Sequence, residues 1–530
     1  MKKMEPASAW IRARPWGVKL ATALPILCML ALFIGTDLRG VDFGFHWDEA
    51  GWHTDPARHM VSTGVFLPQS YIYPSFDKWL VLLPSLPRGI HAAIDTGGQP
   101  LAIQAAMLAA MDTGSYLLQV RGVFIVVSAL GILWLYGAAL ALRHRVWEAL
   151  VAAAGLGLSW EYAYHARWAV TDCLLVQFSA LTLLMLALFH RTGKPLWLYA
   201  AALAAGLGTG TKYTGVFLLA PVLFVSVLTL PRSAIGLQLR RAAALCGLAL
   251  AVYLITTPAT LLDPFLFMTE TRSISTYYLH SHGGYTASSA WHHAWIVLSY
   301  FAFAYFSPYQ WLSVALFAAI LFGAVQWLRR DLRFGAVLVG FPLLFLAMFC
   351  ARYRVVIIRN YLFVVPFLSL LMARGIADLA LWLSRPWLRR GLAVALLLGL
   401  VVQAAWLIKA GESIRHIDPG TYARQALDYV RAHADTRFRV SNQIRALARA
   451  QHLELPPNVA RAHDGTKVVF FGNAEGPGAW KWHTNDPWLT EAVFGPREVN
   501  FDWYSGWAGA DRVVVMAMDK ARATGVPLAR

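Results

Sequence analysis

The sequence predicts an α-helical polytopic membrane protein that ends in a small α/β domain. Three observations carry that expectation. Of the 530 residues, 58% are hydrophobic and 14% charged, where soluble domains run near 45–50% and about 25%. Mean hydropathy is +0.50. About eleven apolar runs also approach or exceed the roughly 18 residues needed to cross about 30 Å of hydrocarbon. This composition excludes a disordered chain, a disulfide scaffold and an ordinary soluble enzyme.

The expected spans fall at 18–35, 117–142, 146–164, 172–189, 195–210 and 213–230, then at 242–258, 309–328, 334–350, 360–381 and 391–409. The first is long and no A-x-A-like site follows it, so it is read as a retained span and not a cleaved signal. Two stretches are read as helices lying at the interface. Residues 74–91 carry Asp77, Lys78, Pro84 and Pro87, and the aromatic residues 291–306 end at Ser307-Pro308. The 22 Trp residues suit interfacial aromatic belts. The four cysteines, Cys28, Cys173, Cys246 and Cys350, contain no CxxC pair and suggest neither zinc nor redox chemistry.

The chain carries 46 Lys+Arg against 29 Asp+Glu, a formal net charge of +17. On a soluble protein that excess would point to nucleic acid. Here it reports topology, because basic residues concentrate in cytoplasmic loops. With a cytoplasmic N-terminus (Lys2, Lys3, Arg12, Arg14, Lys19), every second connection is basic if 74–91 does not cross. These connections hold Arg143/Arg145, Arg191/Lys194, Arg232/Arg240/Arg241, Arg329/Arg330/Arg333 and Arg385/Arg389/Arg390. Residues 36–115 and 411–530 then lie outside, and nucleic acid is not an expected partner. The sequence turns polar at Gly411-Glu412, dividing a membrane domain (1–410) from an extracytoplasmic α/β domain (411–530). In the latter, 421–433 has helical periodicity and 438–440, 467–471 and 512–518 read as strands.

The residues able to do chemistry are the few charges on the outer side. Asp48 and Glu49 follow the first span. Adjacent carboxylates there can supply a general base and a group that tunes it; a helix cap with an acidic first turn fits equally. Asp172 opens a span, where an ionisable group is a functional candidate or a cap. Lys212 stands at an outer turn, able to hold a phosphate or to snorkel. Arg352, Arg354 and Arg359 break the positive-inside trend and suit either an anion or the nearby carboxylates. His280 and His282, followed by His292 and His293, offer hydrogen bonds to phosphate or sugar, or a weak divalent-metal pair, or plain surface polarity.

Taken in order, the motifs resemble the GT-C class of integral-membrane glycosyltransferases. They are most similar to the branch holding protein O-mannosyltransferases and lipid A aminoarabinose transferases (glycosyltransferase family 39). The resemblance rests on Asp48-Glu49, then Ala57-Arg58-His59-Met60-x-x-x-Gly64, Tyr71-x-Tyr73-Pro74 and Arg121. It continues through Arg167-x-x-x-x-Asp172, Gly208-x-x-x-Lys212-Tyr213-x-Gly215, Thr257-Pro258, Asp263-Pro264 and Arg359-Asn-Tyr361-x-x-x-x-Pro366. It covers roughly residues 18–380.

The resemblance implies a GT-C fold and transfer of a sugar from a polyprenyl-phosphate donor, with inversion, to a glycan, lipid or protein acceptor at the outer face of the cytoplasmic membrane. It makes Asp48 the catalytic base, with Glu49 and Asp172 as its acidic companions. Lys212 and Tyr213 are placed near the carrier phosphate, with Arg58, Lys78, His280, His282, Arg352 and Arg359 as further substrate-binding candidates. The resemblance names no certain cofactor, and a divalent metal ion is left open. The sequence departs from the aminoarabinose branch at Gly51, where that branch has Arg, and at Tyr73, where it has Lys; Lys78 is the next lysine along. Aminoarabinose as the sugar is therefore not implied. A transporter or flippase of a lipid-linked sugar is the alternative, and it would need charges near mid-membrane.

Overall fold

The computed structural model describes residues 16–39, 41–42, 48–142, 144–228, 235–280, 286–307, 309–415, 419–441, 444–445, 448–449, 453–460, 465–471, 491–494 and 513–523. It is mostly helical. Seven stretches are long and apolar enough to cross a membrane: Tyr116–Ala141, Thr171–Thr192, Ile235–Thr256, Gln310–Arg330, Leu332–Arg352, Ile358–Trp382 and Pro386–Lys409. The other four expected spans form shorter helices, at Ala23–Leu38, Val146–Gly157, Leu196–Thr211 and Tyr213–Leu228. The protein is a multi-pass membrane protein.

Helix α1 (Trp16–Leu38) is followed by α2 (Asp55–Thr63). Residues 74–91 form no span, because Pro84 and Pro87 break them up. They fold as α3 (Phe76–Leu82), a 3-10 turn and α4 (Leu86–Asp95), with α5 (Pro100–Met111) packed on α4. Then come α6 (Tyr116–Ala141), α7 (Val146–Gly157) and α8 (Trp160–Ala166), whose cap Ser159 accepts from the Tyr162 N–H. Next are α9 (Thr171–Thr192), α10 (Leu196–Thr211), α11 (Leu219–Leu228) and α12 (Ile235–Thr256). The expected interfacial stretch appears as α14 (Ala290–Tyr300) after α13 (Pro264–Leu279), and it runs into a π-turn through Tyr305. Helices α15 (Gln310–Arg330), α16 (Leu332–Arg352), α17 (Val365–Trp382) and α18 (Pro386–Arg415) complete the bundle.

Burial separates the centre from the rim. The apolar window of α9 is 72% buried and that of Ile358–Trp382 83%, against 11% for α12 and 6% for α18. Apolar side chains on a rim helix face lipid at no cost, so α12 and α18 need little protein around them. Helix α9 packs on α6, α10 and α17, and its first turn is therefore held at the middle of one end of the bundle. Helices α15 and α17 meet through Gly323 and Gly375. A Cβ at either would collide with backbone of the opposite helix, the close approach that small residues permit between membrane helices. We expect Gly375→Val to force α15 and α17 apart and to lower the thermal midpoint of the detergent-solubilised protein. A midpoint equal to wild type would contradict this packing.

The tail contains α19 (Pro419–Ala432), β1 (Phe438–Val440), β2 (Lys467–Phe471), β3 (Ala492–Phe494), β4 (Val513–Ala517) and α20 (Met518–Ala523). The sheet order is β1-β2-β4-β3, parallel between β1 and β2 and antiparallel elsewhere. Strand alternation sends Val513 and Val515 to one face with Ala423, Ala426 and Leu427 of α19. Val514 and Met516 go to the other face, with Met518 and Ala521. Three strands fall where sequence patterning puts them. The three-residue β3 has no apolar run around it that would mark it.

Candidate active site

Four of the expected charges converge although they come from four separate stretches of chain. Asp48 stands at the start of a π-helical turn (Glu49–Thr54) leading into α2. It makes no capping hydrogen bond with its side chain; its Oδ2 accepts from Arg359 Nη2 at 2.5 Å. Asp172 lies in the first turn of α9, where the helix dipole favours an anion. The cap position is Val170. Asp172 Oδ1 instead accepts from Lys212 Nζ at 2.6 Å, and its Oδ2 lies 3.6 Å from Arg359 Nε. Lys212 also donates to Asn360 Oδ1 at 2.7 Å, and Asn360 Nδ2 donates to the Tyr278 hydroxyl at 3.2 Å.

The result is a buried chain of alternating charge, Asp48–Arg359–Asp172–Lys212, whose formal charges cancel. Burying any one of them unpaired would cost several kcal/mol, at about the scale of a broken buried ion pair. Each holds its neighbour in a low-dielectric setting. Burial lowers the Lys212 ammonium from its ordinary range, and Asp172 acts in the opposite direction. Two of the three Lys212 N–H groups are used within the protein, which leaves one for a ligand.

Local sequence explains these placements. After Thr211 the chain goes extended at Lys212 and enters a 3-10 turn, Tyr213–Leu218. Gly215 N–H donates to the Lys212 carbonyl at 2.7 Å. A Cβ on Gly215 would strike the backbone of Gly208 in the last turn of α10, so the glycine lets the turn fold tightly under Lys212. Arg359 and Asn360 begin a 3-10 turn (Ile358–Val364) that continues into α17. That turn is pinned by Tyr361, whose hydroxyl pairs with His293 Nε2 at 2.5 Å, while His293 Nδ1 pairs with the Tyr353 carbonyl at 2.9 Å. Burial holds His293 down to about 4. The neutral ring therefore donates from Nδ1 to the carbonyl and accepts at Nε2 from Tyr361.

A cavity of about 330 Å³ opens on this cluster. Its polar wall includes Tyr73, Lys212, Tyr213, Tyr278 and Asn360, and Ile72, Phe267, Ile274 and Phe349 supply apolar wall. Tyr213 points its hydroxyl at the Tyr71 carbonyl, 2.6 Å away. The Tyr71 hydroxyl in turn donates to Asp263 at 3.1 Å and its N–H to Glu270. The segment before α3 is thereby tied to α13 across the cavity.

Not every expected site residue is gathered here. Glu49 turns from Asp48 to the opposite side. It takes Arg121 Nε and Nη2 at 2.9 and 2.5 Å and the Ala169 N–H at 2.8 Å. Successive residues on a helical turn project in different directions, so one acid faces the cluster and the other ties the turn to α6. Arg58 pairs with Asp112 at the exposed surface. The three donors of Lys78 go to the Asp77 carboxylate and to the Tyr73 and Pro74 carbonyls. His280 and Arg352 are exposed, and neither lines the cavity. His282 lies outside the described residues. Among the described residues no three His, Cys, Asp or Glu side chains are grouped to hold a metal ion. We expect Arg58→Ala to leave the thermal midpoint where it is, since an exposed ion pair contributes little; a clear drop would show that the contact matters.

Asn360, Tyr73 and Tyr278 belong to the site but were not among the expected binding residues. Asn360 had a signal, its place beside Arg359. Tyr278, near the end of α13, had none.

No curated protein sequence matches the chain. Among solved structures, it is similar to ArnT from Cupriavidus metallidurans in the apo state, at 16% identity over 94% of this chain and 98% of that one, with a TM-score of 0.46. ArnT bound to undecaprenyl phosphate gives 15% identity over 97% and 98%, with a TM-score of 0.44. The S. cerevisiae protein O-mannosyltransferase Pmt1-Pmt2 complex bound to the sugar donor gives 18% identity over 49% and 36%, with a TM-score of 0.34. Residues 100–259, the stretch that carries Arg121, Asp172 and Lys212, match the model of the dolichyl-phosphate-mannose-protein mannosyltransferase family.

Proposed function

We propose that this protein is a glycosyltransferase that moves one sugar from a polyprenyl-phosphate donor to an acceptor at the outer face of the cytoplasmic membrane. Residues 1–410 form the membrane-embedded catalytic part and 411–530 an α/β domain on the same outer side. The observation that carries the reading is the Asp48–Arg359–Asp172–Lys212 cluster, which meets a mostly apolar cavity at Lys212. Lys212, with an available N–H, lines that cavity, and the Asp48 carboxylate belongs to the same charge cluster through Arg359 and Asp172. The family match over residues 100–259 supports it.

In this reaction the carrier phosphate lies against Lys212 with the prenyl chain in lipid. The Asp48 carboxylate takes the proton from the acceptor's nucleophilic group as that group attacks the anomeric carbon from the face opposite the phosphate. The anomeric carbon–oxygen bond breaks, its electron pair stays on the phosphate, and configuration inverts. Lys212 stabilises the negative charge that develops on the leaving polyprenyl phosphate. Asp172 and Arg359 orient Lys212 and Asp48. The charges stand at helix ends and not at mid-helix, which favours transfer over transport.

Mass spectrometry of carrier lipids and glycoconjugates tests this in cells holding wild-type or Asp48→Asn protein. The expected result is loss of one product mass and accumulation of carrier-linked sugar in the variant. Identical profiles from two equally abundant proteins would overturn the proposal. The mass difference would also distinguish hexose from pentose, and the labelled fraction would distinguish glycan, lipid and protein acceptors.

A further inference from the structure

Tyr73 is a polar residue of the cavity wall that the reaction above leaves unused. It stands on the segment before α3, beside Lys212, whose ammonium is 5.9 Å from its ring centre. Its hydroxyl takes no part in any hydrogen bond with the described residues. Burial and the nearby Asp48 carboxylate both raise its phenol, so it remains protonated and can donate.

Behind the ring lies a polar group with no other evident task. The His53 ring packs on Tyr73 with centroids 5.1 Å apart, and Lys78 Nζ lies 5.9 Å from the Tyr73 ring centre. Asp77 joins the two, accepting from His53 Nδ1 at 2.5 Å and from Lys78 Nζ at 3.2 Å. Lys78 reaches on to the Pro74 carbonyl at 2.9 Å and the Tyr73 carbonyl at 3.4 Å. His53, Asp77 and Lys78 are all fully buried, and none lines the cavity. Such a trio stabilises less than apolar packing of the same volume. What it does supply is direction: it fixes the ring and the backbone carbonyl of one residue, and that residue lines the cavity beside the Lys212 ammonium.

We propose that Tyr73 contacts substrate, its hydroxyl donating to a phosphate oxygen of the polyprenyl carrier alongside Lys212, and that His53, Asp77 and Lys78 are positioning residues for it. The inference rests on the reaction proposed above for the identity of the anion. A phenol and an ammonium on one wall suit a phosphate because both donate and neither accepts from it.

The experiment compares wild type, Tyr73→Phe, Asp77→Asn and the double variant in proteoliposomes. It measures kcat and KM for a polyprenyl-phosphate sugar donor and the Kd for sugar-free polyprenyl phosphate. Tyr73→Phe removes one oxygen and keeps the ring. It is expected to weaken carrier binding about 10- to 100-fold, as for a hydrogen bond to a charged group. Asp77→Asn is expected to weaken it less, and the double variant to be no worse than Tyr73→Phe, because the trio acts through Tyr73. An unchanged Kd and unchanged kinetics in Tyr73→Phe would overturn the proposal, as would losses that multiply in the double variant. If Asp77→Asn does not fold, Tyr73→Phe alone decides the substrate contact. A wild-type protein that binds polyprenyl phosphate through Tyr73 but transfers no sugar would overturn the reaction and leave this contact standing. A wild type that transfers sugar with an indifferent Tyr73→Phe would do the reverse, and a wild type that neither binds nor transfers would overturn both.

Discussion

Asp48→Asn is expected to lower sugar transfer by about 10²- to 10⁴-fold, the usual contribution of a positioned general base. The amide has nearly the shape of the carboxylate but cannot take up a proton. Arg359 keeps its second carboxylate, since Asp172 Oδ2 remains 3.6 Å from its Nε, so the cluster is weakened and not dismantled. In the resting site Asp48 is held by Arg359 at 2.5 Å. The incoming acceptor must therefore share or displace that contact. The loss should fall on kcat, with the affinity for free polyprenyl phosphate kept within a few-fold, because the phosphate contact belongs to Lys212. Single-turnover kinetics on the reconstituted variant measures this. A variant that extracts and melts like wild type yet transfers at the normal rate would remove Asp48 from the chemistry.

Glu49→Ala, one residue along, should do something quite different. Glu49 and Arg121 are both almost fully buried, at 1–2% side-chain exposure. The pair is bidentate, and a third hydrogen bond comes from the Ala169 N–H. Arg121 also meets the Val41 carbonyl and the face of Trp168, 4.9 Å away. Removing one partner of a buried ion pair costs about 3–5 kcal/mol, because the other charge is left uncompensated. The expected result is poor extraction or a markedly lower midpoint of unfolding in detergent, with Glu49→Gln milder because the amide oxygen still accepts. Unfolding curves for the two variants beside Asp48→Asn make the comparison. A Glu49→Ala protein of wild-type stability that is catalytically dead would show instead that Glu49 serves the reaction.

These two results concern adjacent residues that sequence alone treats as one acidic pair. Which of them joins the charge cluster depends on the direction each projects from the π-helical turn, and on Arg121 and Arg359 arriving from α6 and from the start of the α17 segment. Lys212 shows the same limit. Its position at an outer turn is legible from the apolar runs on either side. Its partners, Asp172 and Asn360, are 40 and 148 residues away, and no local pattern joins them. Lys78 and Arg58 illustrate the converse: both carry the right charge in the right loop, yet one spends its donors on its own segment and the other pairs at the surface with Asp112.

The sequence by itself determined the helical membrane class, the position of every long apolar helix, the broken interfacial stretch at 74–91 and three of the four strands. Those features follow from hydrophobic runs, proline breaks and two-residue alternation, which are properties of neighbouring residues. Only the tertiary structure decided that Asp48, Asp172, Lys212 and Arg359 form one chain of alternating charge, that Glu49 belongs to a separate tie, and that Tyr73 lines the cavity beside Lys212. The reason is physical. Local structure is set by short-range sterics and burial, whereas a buried charge is stable only beside its opposite, and that partner can come from any helix end the packing brings near.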